Sequence, residues 1–231
     1  MSEDQMYKEF TVIFFSPITL PSISKLWFTV EQCLDQFRCC KKMTLVLSSI
    51  GGNSHWAGVM SRYLPTLPIR IETHAVGSVS SSALLLYCLG EVRRADTLAY
   101  FAMHPSAYNI AEPGAYAAAD LREILFQLQL QDDLLLQSLV SAMRKPRNTV
   151  ENYVQCRTVF NASQAKENGL VTDIEALAIN RSNPVYRISE DYSHLPSHSQ
   201  PVVPPNNFFN PFGSPIFGTD RLRPIPKGEI Q

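Results

Sequence analysis

Ser80, Ser81 and Ser82 stand at an abrupt join, after the small residues of Val76-Gly77-Ser78-Val79 and before the apolar run Ala83-Leu84-Leu85-Leu86-Tyr87. Extended chain that turns into a helix at such a join sets a hydroxyl beside backbone N–H groups, where the helix dipole favours negative charge. That is where an acyl-transfer nucleophile would sit. Serines at a helix start are also ordinary capping residues, so both readings stand on this stretch alone. Two further places could join it in chemistry. Gly51-Gly52, inside Ser48-Ser-Ile-Gly-Gly-Asn-Ser54, lets backbone approach a ligand closely with its N–H groups exposed, or is a plain tight turn. Its spacing fits neither a phosphate-binding Walker loop nor a dinucleotide fingerprint. His104 follows a short apolar run just before Pro105 and is either a structural histidine or a base.

The elements that must position these residues can be read in order. Residues 10–15 are β-branched and aromatic and predict a buried strand. Ser22 or Ser24 then caps a helix whose apolar positions, Leu26, Trp27, Val30, Cys33, Leu34 and Phe37, keep a 3.6-residue period until Lys41-Lys42 ends it. A second strand over 43–47 leads to the glycine pair, and a helix through Trp56, Val59, Met60, Tyr63 and Leu64 stops at Pro65. A third strand over 69–76 leads to the serine turn and a helix reaching nearly to Gly90. A strand over 99–103 delivers His104.

Residues 111–114 read as a loop before a helix over about 116–145, with Leu121, Leu125, Leu128, Leu135, Leu139 and Met143 on one broad face. That length exceeds what a small domain needs for its own core, so the helix is expected to project or to pack on another subunit. Asn148-Thr-Val-Glu151 resembles a capping box, residues 162–169 a helical turn closed by glycine, and 170–174 a final strand. Repetition of strand, tight turn and helix argues for an α/β fold with mainly parallel strands.

The chain has 231 residues, 45% of them hydrophobic, and a net charge of −1. That balance carries no electrostatic footprint for nucleic acid or an anionic membrane. The first ten residues, with Glu3, Asp4 and Glu9, lack the layout of a secretory signal, and nowhere do about 18 apolar residues run consecutively. A soluble, cytoplasmic protein is expected. Cys33, Cys39, Cys40, Cys88 and Cys156 are an odd set without metal-site spacing and read as reduced structural thiols. After about Asn180 proline, asparagine and serine dominate, so residues 1–180 read as one domain and 181–231 as an extended or disordered tail.

With both turns placed, the chain resembles the ClpP family, the proteolytic subunits of ATP-dependent Clp proteases, within the ClpP/crotonase superfamily. Leu47-Ser-Ser-Ile-Gly-Gly-Asn-Ser54 resembles the family's strand and Ser-Pro-Gly-Gly turn, with Ile50 where proline is usual. Gly77-Ser-Val-Ser-Ser-Ser82 is similar to Gly-x-Ala-Ala-Ser-Met, which puts the catalytic serine on Ser81, with Ser82 and Ala83 replacing the usual Met-Gly. Ala102-Met-His-Pro105 resembles the segment bearing the catalytic histidine, and Ala165-Lys-Glu-Asn-Gly-Leu-Val171 the closing Ala-x-Glu-Tyr-Gly-Leu-Val.

The resemblance implies a repeated β-β-α superhelix with a long handle helix joining two rings, followed here by the Pro-rich tail. It implies nucleophile Ser81, base His104 and an oxyanion hole from the N–H groups of Gly52 and Ser82. Neither cofactor nor metal is implied. The partners implied are unfolded polypeptide substrates, a ring of like chains or ClpP-like paralogues, and a separate AAA+ unfoldase.

The family's catalytic aspartate falls on Arg157, and no carboxylate occurs from Asn152 to Gln164. Asn161, Glu151 and Asp173 are the polar side chains that could orient the imidazole instead. Three readings follow: a serine endopeptidase working with a Ser/His pair, a catalytically silent structural or regulatory subunit of a protease ring, and an acyl-CoA enzyme of the crotonase branch. The last would need a carboxylate near the oxyanion hole, and none stands near Gly51 or Ser81 in sequence.

Overall fold

The computed structural model describes residues 7–108 and 114–189. Most of the 111–114 loop and the tail beyond residue 189 lie outside the described residues. The elements run β1 (Glu9–Phe15), α1 (Leu20–Gln36), β2 (Lys42–Ser49), α2 (Ser54–Tyr63), a 3-10 turn (Leu64–Thr66), β3 (Arg70–Ser80), α3 (Ala83–Tyr87), β4 (Val92–Ala95), β5 (Tyr100–Ala102), α4 (Ala118–Met143), α5 (Arg147–Gln155), β6 (Val159–Asn161), α6 (Ala162–Glu167), β7 (Asp173–Ile174) and β8 (Val185–Ser189). Eight strands form one sheet ordered β6-β5-β3-β2-β1-β8, with β4 paired to β3 and β7. Every pairing is parallel except β5 with β6.

β1 and the middle of β2 are buried and near-continuously apolar, as parallel strands covered on both faces must be. β3 is the spine: its first half pairs with β4 and its last three residues with β5. Between Leu47 and Ser49 the β2–β3 register slips, because Val76, Gly77 and Ser78 of β3 stand against the single residue Ser48 of β2. A Cβ on Gly77 would lie 2.7 Å from Ser48 Oγ, so the strands close tightly at the slip. α3 packs wholly buried, its last carbonyl, on Tyr87, accepting from Thr73 Oγ1 at 2.9 Å.

Several boundaries differ from the sequence expectation, each for a local reason. Thr19, not Ser22 or Ser24, caps α1; Pro21 occupies the first turn and Ser22 is the reciprocal partner of the cap. The helix ends at Gln36, and Lys42 already belongs to β2. Trp27 is exposed rather than in the core, stacked on Phe28 and edge-on to Tyr63. β3 continues to Ser80, which leaves α3 only five residues. α5 starts after Pro146 without a side-chain cap, so Asn148 makes no capping box. β8 lies inside the stretch assigned to the tail from 181: it adds to the sheet edge by pairing in parallel with β1, so the shift in composition at Asn180 precedes the end of the sheet.

On α4 no residue before Leu135 is buried, while Leu135, Leu136, Leu139, Ala142 and Met143 are; Leu121, Leu125, Phe126 and Leu130 face outward. The end of α4 is tied to the sheet by one side chain. Arg93 donates from Nη2 to the carbonyls of Ala142 and Gly169, from Nε to Leu170 and from Nη1 to Gly90. A guanidinium fork that satisfies carbonyls at helix ends combines hydrogen bonds with the dipole. The Arg93→Ala variant is expected to lose about 2–4 kcal/mol in denaturant unfolding, and Arg93→Lys to recover less than half, since an ammonium cannot span four carbonyls; a loss below about 0.5 kcal/mol would show the ties to be redundant.

β3 also carries two buried ionisable groups. Burial pushes His74 below its usual pKa, and its Nε2 has no partner among the described residues. Burial would raise Glu72, but the hydrogen bond from Arg94 and the charges of Lys42, Arg94 and Arg70 outweigh it and hold the carboxyl below its usual value. A lowered histidine means that the unfolded chain takes up the proton first, so stability is lost as pH falls below about 6.5; Glu72 adds a second loss as pH falls through the carboxylate range. Thermal melts from pH 7.5 to 5 should show a falling Tm whose slope between pH 6.5 and 5.5 is reduced in His74→Gln. An unchanged slope would mean that His74 is not a source of it.

Candidate functional site

At the corner between β3 and α3, Ser81 adopts a left-handed backbone, φ +55°. Such a conformation costs a non-glycine residue about 1–3 kcal/mol and persists only where surroundings impose it. Here they do: Ser81 N–H donates to Ala102 O on β5 at 2.9 Å, and Leu84 N–H donates to Ser81 O at 3.0 Å. The other serines are occupied. Ser78 Oγ and Ser80 Oγ bond each other at 2.7 Å, and Ser82 Oγ, on a residue only 3% exposed, donates to Gly52 O at 3.1 Å. None of these bonds engages the half-buried Ser81 hydroxyl. Nor does any serine side chain cap α3, which removes the capping reading.

The glycine turn after β2 lies against this corner. Gly51 and Gly52 have φ of +87° and +142°. Ile18 clamps them, its N–H donating to Gly51 O at 2.7 Å and its carbonyl accepting from Asn53 N–H at 2.8 Å. A Cβ on Gly51 would lie 2.6 Å from Ser80 O, 2.8 Å from Ser81 Cβ and 3.2 Å from Ser82 N; one on Gly52 would meet Ile18 O at 2.4 Å. Both positions therefore admit glycine alone, for backbone conformation and for space. The N–H groups of Gly52 and Ser82 find no backbone acceptor among the described residues.

β5 brings the histidine to the same edge. Ala102, which accepts the Ser81 N–H, lies two residues before half-buried His104. His104 Nδ1 is 2.9 Å from the carbonyl oxygen of Pro105. A carbonyl has no proton to give, so Nδ1 is the donor; in the neutral ring Nε2 then carries the lone pair. The next N–H, of Ser106, donates to Asp132 Oδ1 on α4 at 2.6 Å.

Arg157 sits in an exposed left-handed turn, φ +53°, between α5 and β6. Its neighbour Thr158 accepts the Met103 N–H at 2.9 Å, so this turn does run beside the histidine strand, with arginine at the position where the resemblance places an acid. The side chains considered in its stead are otherwise placed. Asn161 caps α6, its Oδ1 accepting from Gln164 N–H; Asp173 lies on β7, 4.0 Å from Lys166; Glu151 is exposed on α5. Asp132 carried no sequence signal, since its contact joins a helix to a loop across 26 residues.

Among the described residues no cluster of histidine, cysteine, aspartate or glutamate could hold a metal ion, and no helix is long and apolar enough to cross a membrane. All five cysteines are free thiols, and burial pushes Cys33 up to about 11 and Cys88 up to about 12.

The fold has a known counterpart. A ClpP1 mutant from Listeria monocytogenes superposes with a TM-score of 0.64 over 74% of this chain and 92% of that one, at 13% identity, so the likeness is one of fold. No curated protein sequence matches the chain. The family model described as Clp protease matches residues 2–177, through both turns, the histidine strand and α4. By that match the chain belongs to the Clp protease family.

Proposed function

We propose that the chain is a ClpP-like serine endopeptidase subunit that hydrolyses peptide bonds of unfolded polypeptides, with Ser81 as nucleophile and His104 as base. The observation that carries the reading is the strained Ser81 corner held against Gly51-Gly52. A left-handed residue at a strand-to-helix turn lifts its side chain out of the sheet edge. Ser81 Oγ would attack the peptide carbonyl as His104 Nε2 takes its proton; the imidazolium then returns that proton to the leaving amine, and water repeats the cycle on the acyl-enzyme. The oxyanion would be met by the N–H groups of Gly52 and Ser82. α3 is short, so the donors rather than a long helix dipole supply that stabilisation.

The outward leucines of α4 support assembly into a ring-forming oligomer of like chains or paralogues, and a separate AAA+ unfoldase would supply unfolded substrate. A silent structural subunit is the second reading, favoured by Arg157 where the acid is expected.

Fluorophosphonate labelling of the sized oligomer separates the two. Labelling is expected in the wild type and is lost in Ser81→Ala and His104→Ala, with peptidase activity down by about 10³ or more; a well-assembled ring that takes no label would favour the silent subunit. The Gly51→Ala variant is expected to lose labelling by at least about tenfold through displacement of Ser81, whereas Gly77→Ala, which meets a side-chain hydroxyl rather than backbone, keeps it. Equal labelling of both variants would separate the glycine turn from the reaction.

A further inference from the structure

We infer that Asp132 is the positioning residue for His104, acting through the Pro105–Ser106 peptide group in place of the acid that is missing at Arg157. The inference rests on the reading of His104 as base. The carbonyl that accepts from His104 Nδ1 at 2.9 Å and the N–H that donates to Asp132 Oδ1 at 2.6 Å belong to one peptide unit. In a planar trans amide these groups point in opposite directions, so the imidazole and the carboxylate lie on opposite edges of one plane.

Amide resonance joins the two edges. An anionic acceptor on the N–H draws the proton side of the amide toward it and enriches the carbonyl oxygen, which becomes a better acceptor for Nδ1–H. Hydrogen bonds in series strengthen one another in this way, by about 10–30% per bond. The short bond from Ser106 is of the charge-assisted kind. Pro105 fixes its own φ, which limits how far the plane can swing. Asp132 is half-buried, on the turn of α4 just before its buried face begins at Leu135, so the carboxylate is held on a packed helix. The chain Asp132, peptide 105–106, His104 thus keeps the proton on Nδ1 and leaves the Nε2 lone pair to serve as the base. No proton leaves Nδ1, and none passes to Asp132. A carboxylate one peptide away stabilises the imidazolium less than one in direct contact.

The test uses the full-length oligomer labelled with 15N-histidine, with the His104 resonances identified by their loss in His104→Gln. The wild type is expected to show the Nδ1–H tautomer at His104. Asp132→Ala should convert a large share to the Nε2–H tautomer and slow fluorophosphonate labelling by about 10–100-fold. Asp132→Asn, which keeps an oxygen for the Ser106 N–H without the charge, should keep the tautomer and slow labelling only severalfold. Asp133→Ala, one residue along but paired with Arg147, should change neither. An unchanged tautomer in Asp132→Ala overturns the inference at any labelling rate. The two readings fail separately: a wild type that takes no label but whose tautomer depends on Asp132 contradicts the peptidase reading alone, and a labelled wild type whose tautomer ignores Asp132 contradicts the relay alone.

Discussion

The contact between two turns governs this molecule. Gly51 approaches the Ser80–Ser82 backbone so closely that even a methyl group would collide with a carbonyl oxygen and with Ser81 Cβ. Both turns are rigid because each hangs from a buried parallel strand, β2 and β3, whose pairing holds from Lys42 to Leu47 and is reset beyond it by the slip at Val76–Ser78. The slip allows β3 to run past the glycine turn and pair with β5. From that pairing come the Ala102 bond that holds Ser81 in its left-handed conformation and the placement of His104. Strain at one residue is thus tolerated because a large, buried sheet fixes the backbone on either side of it.

The histidine depends on a second set of supports. Thr158 fixes Met103 from one side, and Asp132 fixes Ser106 from the other. These come from the turn after α5 and from α4, and α4 is itself seated by Leu135, Leu136 and Leu139 and by the Arg93 fork at its end. The half of α4 beyond that seat presents apolar side chains outward. A helix half with so little buried surface is marginal alone, which fits the proposed assembly of like chains.

Much of this was legible in the residues. Continuous apolar runs mark β1 and β2 because both faces of a parallel sheet are covered, and the small-to-apolar join at Ser80–Ala83 marks a corner. Other features leave no local trace. A 3.6 period places Trp27 on the same broad face as Leu26 and Val30, yet only the sheet decides which edge of that face is buried. Thr19 caps α1 because Pro21 fits the first turn, a choice that three nearby hydroxyls obscure. β8 is concealed by its neighbours: Pro184 and the proline-rich segment after it read as tail, while Tyr186 and Ile188 supply a short strand only because β1 offers an edge. The left-handed Ser81 has no signature at all, since the tertiary bonds and not the residue type impose it.

The resemblance puts Arg157 where the family's acid is expected, and the account turns on whether Ser81 reacts without an acid there. A crystal structure of the assembled protein soaked with a peptide boronic acid tests that most directly. The account predicts boron bonded to Ser81 Oγ, with one boronate oxygen in hydrogen-bond reach of the Gly52 and Ser82 N–H groups and His104 Nε2 on the opposite side. A bond to Ser78 or Ser80, or a boronate oxygen turned away from both N–H groups, would contradict it.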